Sequence, residues 1–241
     1  MATRNRQVWP EALDELSPQD PRAQRSRRDL RRVHRAMLSL CILKHAWSRL
    51  RLIEPPSRII ELGAGDGSLL LRLARALPSR RVGTELVLLD RQQVVSAETI
   101  DQFRSVGWQA TVLCEDALQW ASAPSPESYD LCIATLFLHH FRDPELALLL
   151  EGVVARSRAF IAIEPHRGTL ATLSSHLIGV LGVNAITRED AVKSVAAGFS
   201  SAEVTAAWPG DVDSWWIREF RALPFSQCFL AARQTVRRTD H

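Results

Sequence analysis

Arg58-Ile-Ile-Glu-Leu-Gly-Ala-Gly-Asp-Gly-Ser-Leu-Leu70 reads as a short apolar strand that runs into an acid, then three alternate glycines, then an apolar helix start. Gly63, Gly65 and Gly67 make G-x-G-x-G, whereas a dinucleotide site wants G-x-G-x-x-G and a P-loop ends in Gly-Lys-Ser/Thr. Neither phosphate motif is met. Glycines at a strand-to-helix turn let a ligand lie against bare backbone. Glu61 at the strand end suits a ligand with an ammonium group, and a zwitterionic amino-acid moiety meets that description.

Outward from this turn, short apolar runs at 58–62, 85–89, 111–114, 131–134 and 160–163 alternate with helical stretches. Five strands separated by helices imply βαβ units and a parallel sheet covered on both faces. Leu69, Leu70, Leu73 and Leu77 mark one face of a helix over 66–77, and Asp143-Pro144 predicts an N-cap and first-turn proline for a helix over 144–156. Thr187-Arg-Glu-Asp190 has the spacing of a helix start. The tail reads as strands at 202–206 and 227–232 with a Trp-rich helix between them. Ahead of the core, a loosely ordered arm precedes one amphipathic helix that runs from Asp29 and ends before Pro55 and Pro56. The expected organisation is an arm and helix over 1–56 packed on a core domain over 57–241.

Two further acids stand at strand ends. Asp90 closes the second strand, where a carboxylate accepts both hydroxyl hydrogens of a ribose, and Glu115-Asp116 after the third places an acid that can accept from an exocyclic amine such as adenine N6. Each alone is more often a surface carboxylate or a helix cap; in order, with the glycine turn, they make a strong signal.

On these residues the chain resembles the class I S-adenosylmethionine-dependent methyltransferases. Glu61, Gly63, Ala64, Gly65 and Gly67 resemble the first motif, Asp90 with Arg91 the ribose site and Asp116-Ala117 the adenine contact. Tyr129-Asp-Leu-Cys-Ile-Ala-Thr-Leu-Phe-Leu-His-His-Phe141 resembles the fourth motif and puts Thr135 beside the cofactor. More narrowly, Ser26-Arg-Arg-Asp-Leu-Arg31, Phe137-Leu-His-His-Phe141, Thr187-Arg-Glu-Asp190, Ala197-Gly-Phe199 and Pro224-Phe-Ser226 resemble bacterial methyltransferases of aromatic polyketide and phenolic-lipid pathways. Gln227-Cys228 departs from them, since a histidine is expected after the Phe-Ser pair. The resemblance implies a Rossmann-like α/β fold with a seven-stranded sheet ordered 3-2-1-4-5-7-6, the last strand antiparallel, and an N-terminal helical extension. It also implies S-adenosyl-L-methionine as cofactor and a small, largely apolar acceptor, with a phenolic hydroxyl as the expected one. An RNA methyltransferase and a non-catalytic nucleoside-binding module of the same fold stay open as alternatives, although the fourth motif lacks the Asn-Pro-Pro-Tyr type of sequence found with base-amine methylation.

Composition narrows the field. In 241 residues, 46% hydrophobic and 24% charged, disordered, collagen-like and disulfide-scaffold classes are disfavoured. The apolar runs are too short for a membrane span and the start lacks a signal-peptide core, so a cytoplasmic protein is expected. Cys41, Cys114, Cys132 and Cys228 form no CxxC pair and read as small core residues. Seven arginines stand against one acid between residues 22 and 35. Without interleaved aromatics this reads as a solvated helix face, which argues against a nucleic-acid partner, although Arg27, Arg28 and Arg31 are within reach of the donor's carboxylate.

His139 and His140 follow the fourth strand, where the methyl is delivered. One of them is the candidate general base, His140 ahead of His139, with His166 a weaker third and Glu164 read as structural. No further ligand has the spacing to make the pair a metal site. The stretch over 167–199, with an apolar helix at 170–181, is expected to cover the acceptor like a lid. Nothing in the sequence points to a particular oligomeric state.

Overall fold

A computed structural model of the chain describes residues 6–17, 19–50, 52, 54–77, 83–124, 126–168, 182–211 and 213–234. Its strands are β1 Arg58–Leu62, β2 Thr84–Asp90, β3 Trp108–Cys114, β4 Leu131–Thr135, β5 Ala159–Pro165, β6 Trp215–Ala222 and β7 Ser226–Arg233. They form one sheet in the order β3-β2-β1-β4-β5-β7-β6. The first five run parallel, and β7 is antiparallel to both β5 and β6. This is the order that the resemblance implied.

Every residue of β4 and β5 is buried, as a sheet covered on both faces demands. Successive strand residues serve opposite cores. Ile59, Ile133 and Ile161 pack with α3 (Ser39–Arg49), α4 (Ser68–Ala76) and α5 (Ala97–Ser105) through Leu43, Leu70 and Phe103. Ile60, Cys132 and Phe160 pack with α6 (Ala117–Ser122) and α7 (Asp143–Arg156) through Trp120 and Leu149. Trp208 stacks on Phe160 at 5.7 Å between ring centres and meets Trp215 edge-on at 5.2 Å, so these indoles are core. Among the described residues, no helix is long and apolar enough to cross a membrane.

Several local expectations are corrected. The single helix from Asp29 is two: α2 spans Pro21–Ala36 with Asp20 accepting from the Arg22 amide, and the chain breaks at Leu38 (φ 55°) before α3. Residues 202–206 are not a strand, since Ala-rich Glu203–Ala207 is a short helix, α9. The Trp-rich segment is β6 instead of a helix, because its β-branched and aromatic side chains pair along the whole of β7. Helix α8, Ala185–Ala197, starts at Asn184, whose side chain accepts from Thr187 N at 2.8 Å, so Thr187 lies inside the first turn. Helix α7 starts at Asp143, with Glu145 reaching back to the Arg142 amide at 2.9 Å. Cys41 and Cys114 are exposed, and only Cys132 and Cys228 are in the core.

The described part of the arm, from Arg6 onward, is tied to the core and not loose. Arg6 donates to the carbonyls of Ala197 and Phe141 and pairs with Asp143 at 3.1 Å. Asp190 of α8 accepts from the amides of Ala12 and Leu13 at 2.9 and 3.1 Å and thereby caps α1, Ala12–Glu15. Two exposed donors at a helix start attract a carboxylate whatever its distance in sequence. The expected apolar helix at 170–181 lies outside the described residues.

Candidate active site

The carboxyl ends of β1, β2 and β4 open on a cavity of about 920 Å³, near the top of the roughly 300–1,000 Å³ range of small-molecule sites. The arm, α2 and α8 cover it through residues such as Trp9, Glu11, Val33, Met37, Ala191 and Ser194. All the cofactor-site residues expected from sequence line it except Gly67: Glu61, Gly63, Ala64, Gly65, Asp90, Arg91, Asp116, Ala117 and Thr135. Gly67 instead heads α4 with φ 71°.

One end of the cavity is polar and close to backbone. Gly63 and Gly65 both have positive φ; a Cβ on Gly63 would lie 2.1 Å from the Phe137 ring, whereas one on Gly65 would meet nothing within 4 Å. Asp90 holds this turn, accepting from Gly65 N with Oδ2 and Gln92 N with Oδ1, each at 2.8 Å. Asp116 caps α6 through Oδ1, accepting from Leu118 N at 2.8 Å and Gln119 N at 3.4 Å. Glu61 is buried and its Oε2 has no hydrogen-bond partner in the protein, like the Thr135 hydroxyl nearby. Burial first, then the charges of Asp66 and Asp90, push the Glu61 carboxyl up to about 8. An orphaned carboxylate in a cavity wall fits a ligand that brings a cation. Arg31 reaches the same end but pairs with Asp66 at 2.8 Å, and Arg27 donates to Gln92. Arg22 and Arg32 pair with Asp20 and Asp29, so these clustered arginines, like Arg27 and Arg31, have partners within the chain.

The other end is built on one tight turn. Leaving β4, the backbone passes Leu136 at φ 54°, a conformation that costs a non-glycine residue about 1–3 kcal/mol. It then makes a 3₁₀ turn over Leu138–His140. Buried Glu164 at the end of β5 holds that turn, accepting from the amides of Phe137, Leu138 and His139 at 3.0, 2.8 and 3.3 Å. Its Oε2 also accepts from His139 Nδ1 at 2.7 Å, while Glu11 Oε1 stands 3.4 Å from His139 Nε2. Burial alone would lower the His139 ring, but the hydrogen bonds to Glu11 and Glu164 outweigh it and hold it up at about 9. Burial likewise opposes ionisation of Glu11, yet its hydrogen bond to His139 brings it down to about 2. His139 is thus an imidazolium between two carboxylates.

The His140 ring lies 4.4 Å from that of His139 and faces the cavity. His166 is not among the cavity's lining residues; burial lowers its ring first, and Arg221 and Arg167 add to the effect. Sequence spacing offered the histidine pair no third polar partner; the fold supplies Glu11, which no periodicity or motif had marked.

Residues 59–158 match the family model described as a methyltransferase domain. No curated protein sequence matches the chain. Among solved structures, the plantazolicin methyltransferase BpumL in complex with SAH aligns with a TM-score of 0.63 at 13% identity, covering 90% of this chain and 92% of that one. Mitomycin 7-O-methyltransferase MmcR aligns at 0.58 and 17% identity, over 92% of this chain and 60% of its own. An O-methyltransferase family protein from Burkholderia thailandensis aligns at 0.57 and 14% identity, over 90% and 61%. At such identities the likeness is one of fold.

Proposed function

We propose that this chain, whose residues 59–158 match a methyltransferase domain, is a class I S-adenosylmethionine-dependent methyltransferase that passes the sulfonium methyl of S-adenosyl-L-methionine to a small, largely apolar acceptor, with a phenolic hydroxyl as the acceptor the site suits best. The observation that carries the reading is the orphaned Glu61 carboxylate beside the bare backbone of Gly63 and Gly65. An amino-acid moiety answers both, its ammonium group meeting Glu61 and its chain lying along the glycine turn. Asp90 and Arg91 then face the ribose, Asp116 and Ala117 the adenine, and Thr135 the middle of the donor. Both methyltransferases named above for O-methylation share the fold.

The donor's methyl is already activated and leaves by in-line displacement, so the protein's larger task is positioning, which supplies about 7–11 kcal/mol in well-aligned pairs. A general base adds about 10²–10⁴ in rate. His139 already holds its proton and cannot take another, which leaves His140, on the same wall, as the base. Phe137, Phe141, Met37 and Val33 give the cavity wall apolar surface for such an acceptor. The reading is tested by offering methyl-labelled donor to simple phenols, alkylresorcinol-like lipids and, in parallel, RNA. Label on a phenol is expected; label on RNA alone, or on none of them, would reject the acceptor class.

Asp90→Ala should weaken SAH binding by about tenfold or more, because a charged acceptor for ribose hydroxyls contributes roughly 1.5–3 kcal/mol per hydrogen bond. Asp90→Asn, which keeps one carbonyl oxygen for the Gly65 amide, separates that loss from collapse of the turn. Equal affinity in the parent and the alanine variant would remove Asp90 from the ribose site.

A further inference from the structure

We infer that Glu11, carried into the cavity by the N-terminal arm, is a positioning residue for methyl transfer: its carboxylate orients His140 and offsets the charge that ring gains on taking the acceptor's proton. The inference rests on the methyl-transfer reading above. Glu11, His139 and His140 each bring one carboxylate oxygen or ring nitrogen within 4.8 Å of the other two. The Glu11 side chain is only 12% exposed and is held in place, since Ser194 Oγ donates to the same Oε1 that faces His139 Nε2. Its backbone is held as well, through Asp190 at the next two amides.

The local charges give this placement its consequence. Glu164 and Glu11 are anions on either side of the His139 imidazolium, so the trio has one negative charge in excess. When the acceptor's O–H bond breaks, its oxygen takes the methyl, the C–S electron pair returns to sulfur and the proton passes to His140. A second imidazolium then forms 4.4 Å from the first. Without Glu11 the two cations would repel across a buried wall; with it, the excess carboxylate stabilises the new charge, as a third group does in a nucleophile–base triad. The other charged groups around the cluster are Asp190 and Lys193 on α8, Arg142 and Glu145 at the start of α7, and Arg6 on the arm. Asp190 and Lys193 are 3.9 Å apart, and Arg6 pairs with Asp143.

The test follows the histidine rings by NMR in the full chain labelled at histidine, with the His140 signal identified by its loss in His140→Asn. In Glu11→Gln, His140 should titrate at least about half a pH unit lower than in the parent, because an anion that favoured its charged form is gone. Glu11→Asp, which keeps the charge, should fall between the two. The acidic limb of the kcat/KM–pH profile should move to lower pH in step, with kcat down about tenfold and SAH affinity within about twofold of the parent. A purely structural arm would lower kcat without moving either titration. Unmoved His140 titration in both variants overturns the inference, as does turnover that a chelator abolishes and Zn²⁺ restores, since the trio would then be metal ligands. The NMR reading needs no acceptor: if SAH fails to bind the parent, the methyl-transfer reading falls, and if SAH binds while His140 is unmoved, the Glu11 assignment alone falls.

Discussion

Alanine at His140 should cut turnover by about 10²–10⁴ while donor affinity holds. The ring stands on the cavity wall beside an imidazolium, His139, that cannot accept a proton at neutral pH. Loss of the base removes proton transfer but leaves alignment of the methyl and the attacking oxygen, so measurable activity should persist. A nitrophenol, already ionised near neutrality, has no proton to lose and should recover part of the rate. Steady-state kinetics across phenols of graded acidity checks this. An equal loss for acidic and ordinary phenols would make His140 a residue that positions the acceptor.

Glu164→Ala should lower the melting temperature by on the order of 10 °C. Removing one partner of a buried charged pair costs about 3–5 kcal/mol, and each kcal/mol moves a domain of this size by about 2–4 °C. Here the loss strands an imidazolium and uncaps three amides at a strained turn. The pH dependence has a definite sign. The folded His139 ring is raised to about 9, so its contribution is complete below the unfolded value near 6.5 and is lost as pH rises through 9. Glu11, lowered to about 2, reports the same contact from the acid side, where its contribution is complete above about 4.5 and is lost as pH falls through 2. Calorimetric scans should therefore find the parent losing more stability between pH 6.5 and 9.5 than the variant. A variant that melts within a degree or two of the parent would show that Glu164 does not hold the turn.

Much of the donor end was legible because its signals are local. An apolar run, an acid and alternate glycines prescribe strand, turn and helix within a dozen residues, and Asp90 and Asp116 stand at strand ends that hydrophobic runs alone locate. The acceptor end is assembled over long sequence distances. Glu11 sits in a proline-flanked segment without periodicity, and only docking of the arm against Asp190 brings it to His139. The Leu38 break and β6 were hidden for a related reason. The apolar rhythm of Val33, Met37, Leu40 and Cys41 runs across the break at Leu38 without interruption, and adjacent Trp215 and Trp216 blur the period-two alternation that pairing with β7 imposes.

Calorimetry with SAH is the sharpest test of the donor-site reading. Glu61 is pushed up to about 8 by burial, so at pH 7 it holds a proton that an incoming ammonium group displaces. Binding should have an enthalpy that varies with the buffer's ionisation enthalpy, reporting about one proton released, and an affinity that rises from pH 6 to 8. Glu61→Gln should bind more weakly and release none. An absence of binding, or binding that Glu61→Gln leaves unchanged in affinity and proton release, would contradict the donor-site reading.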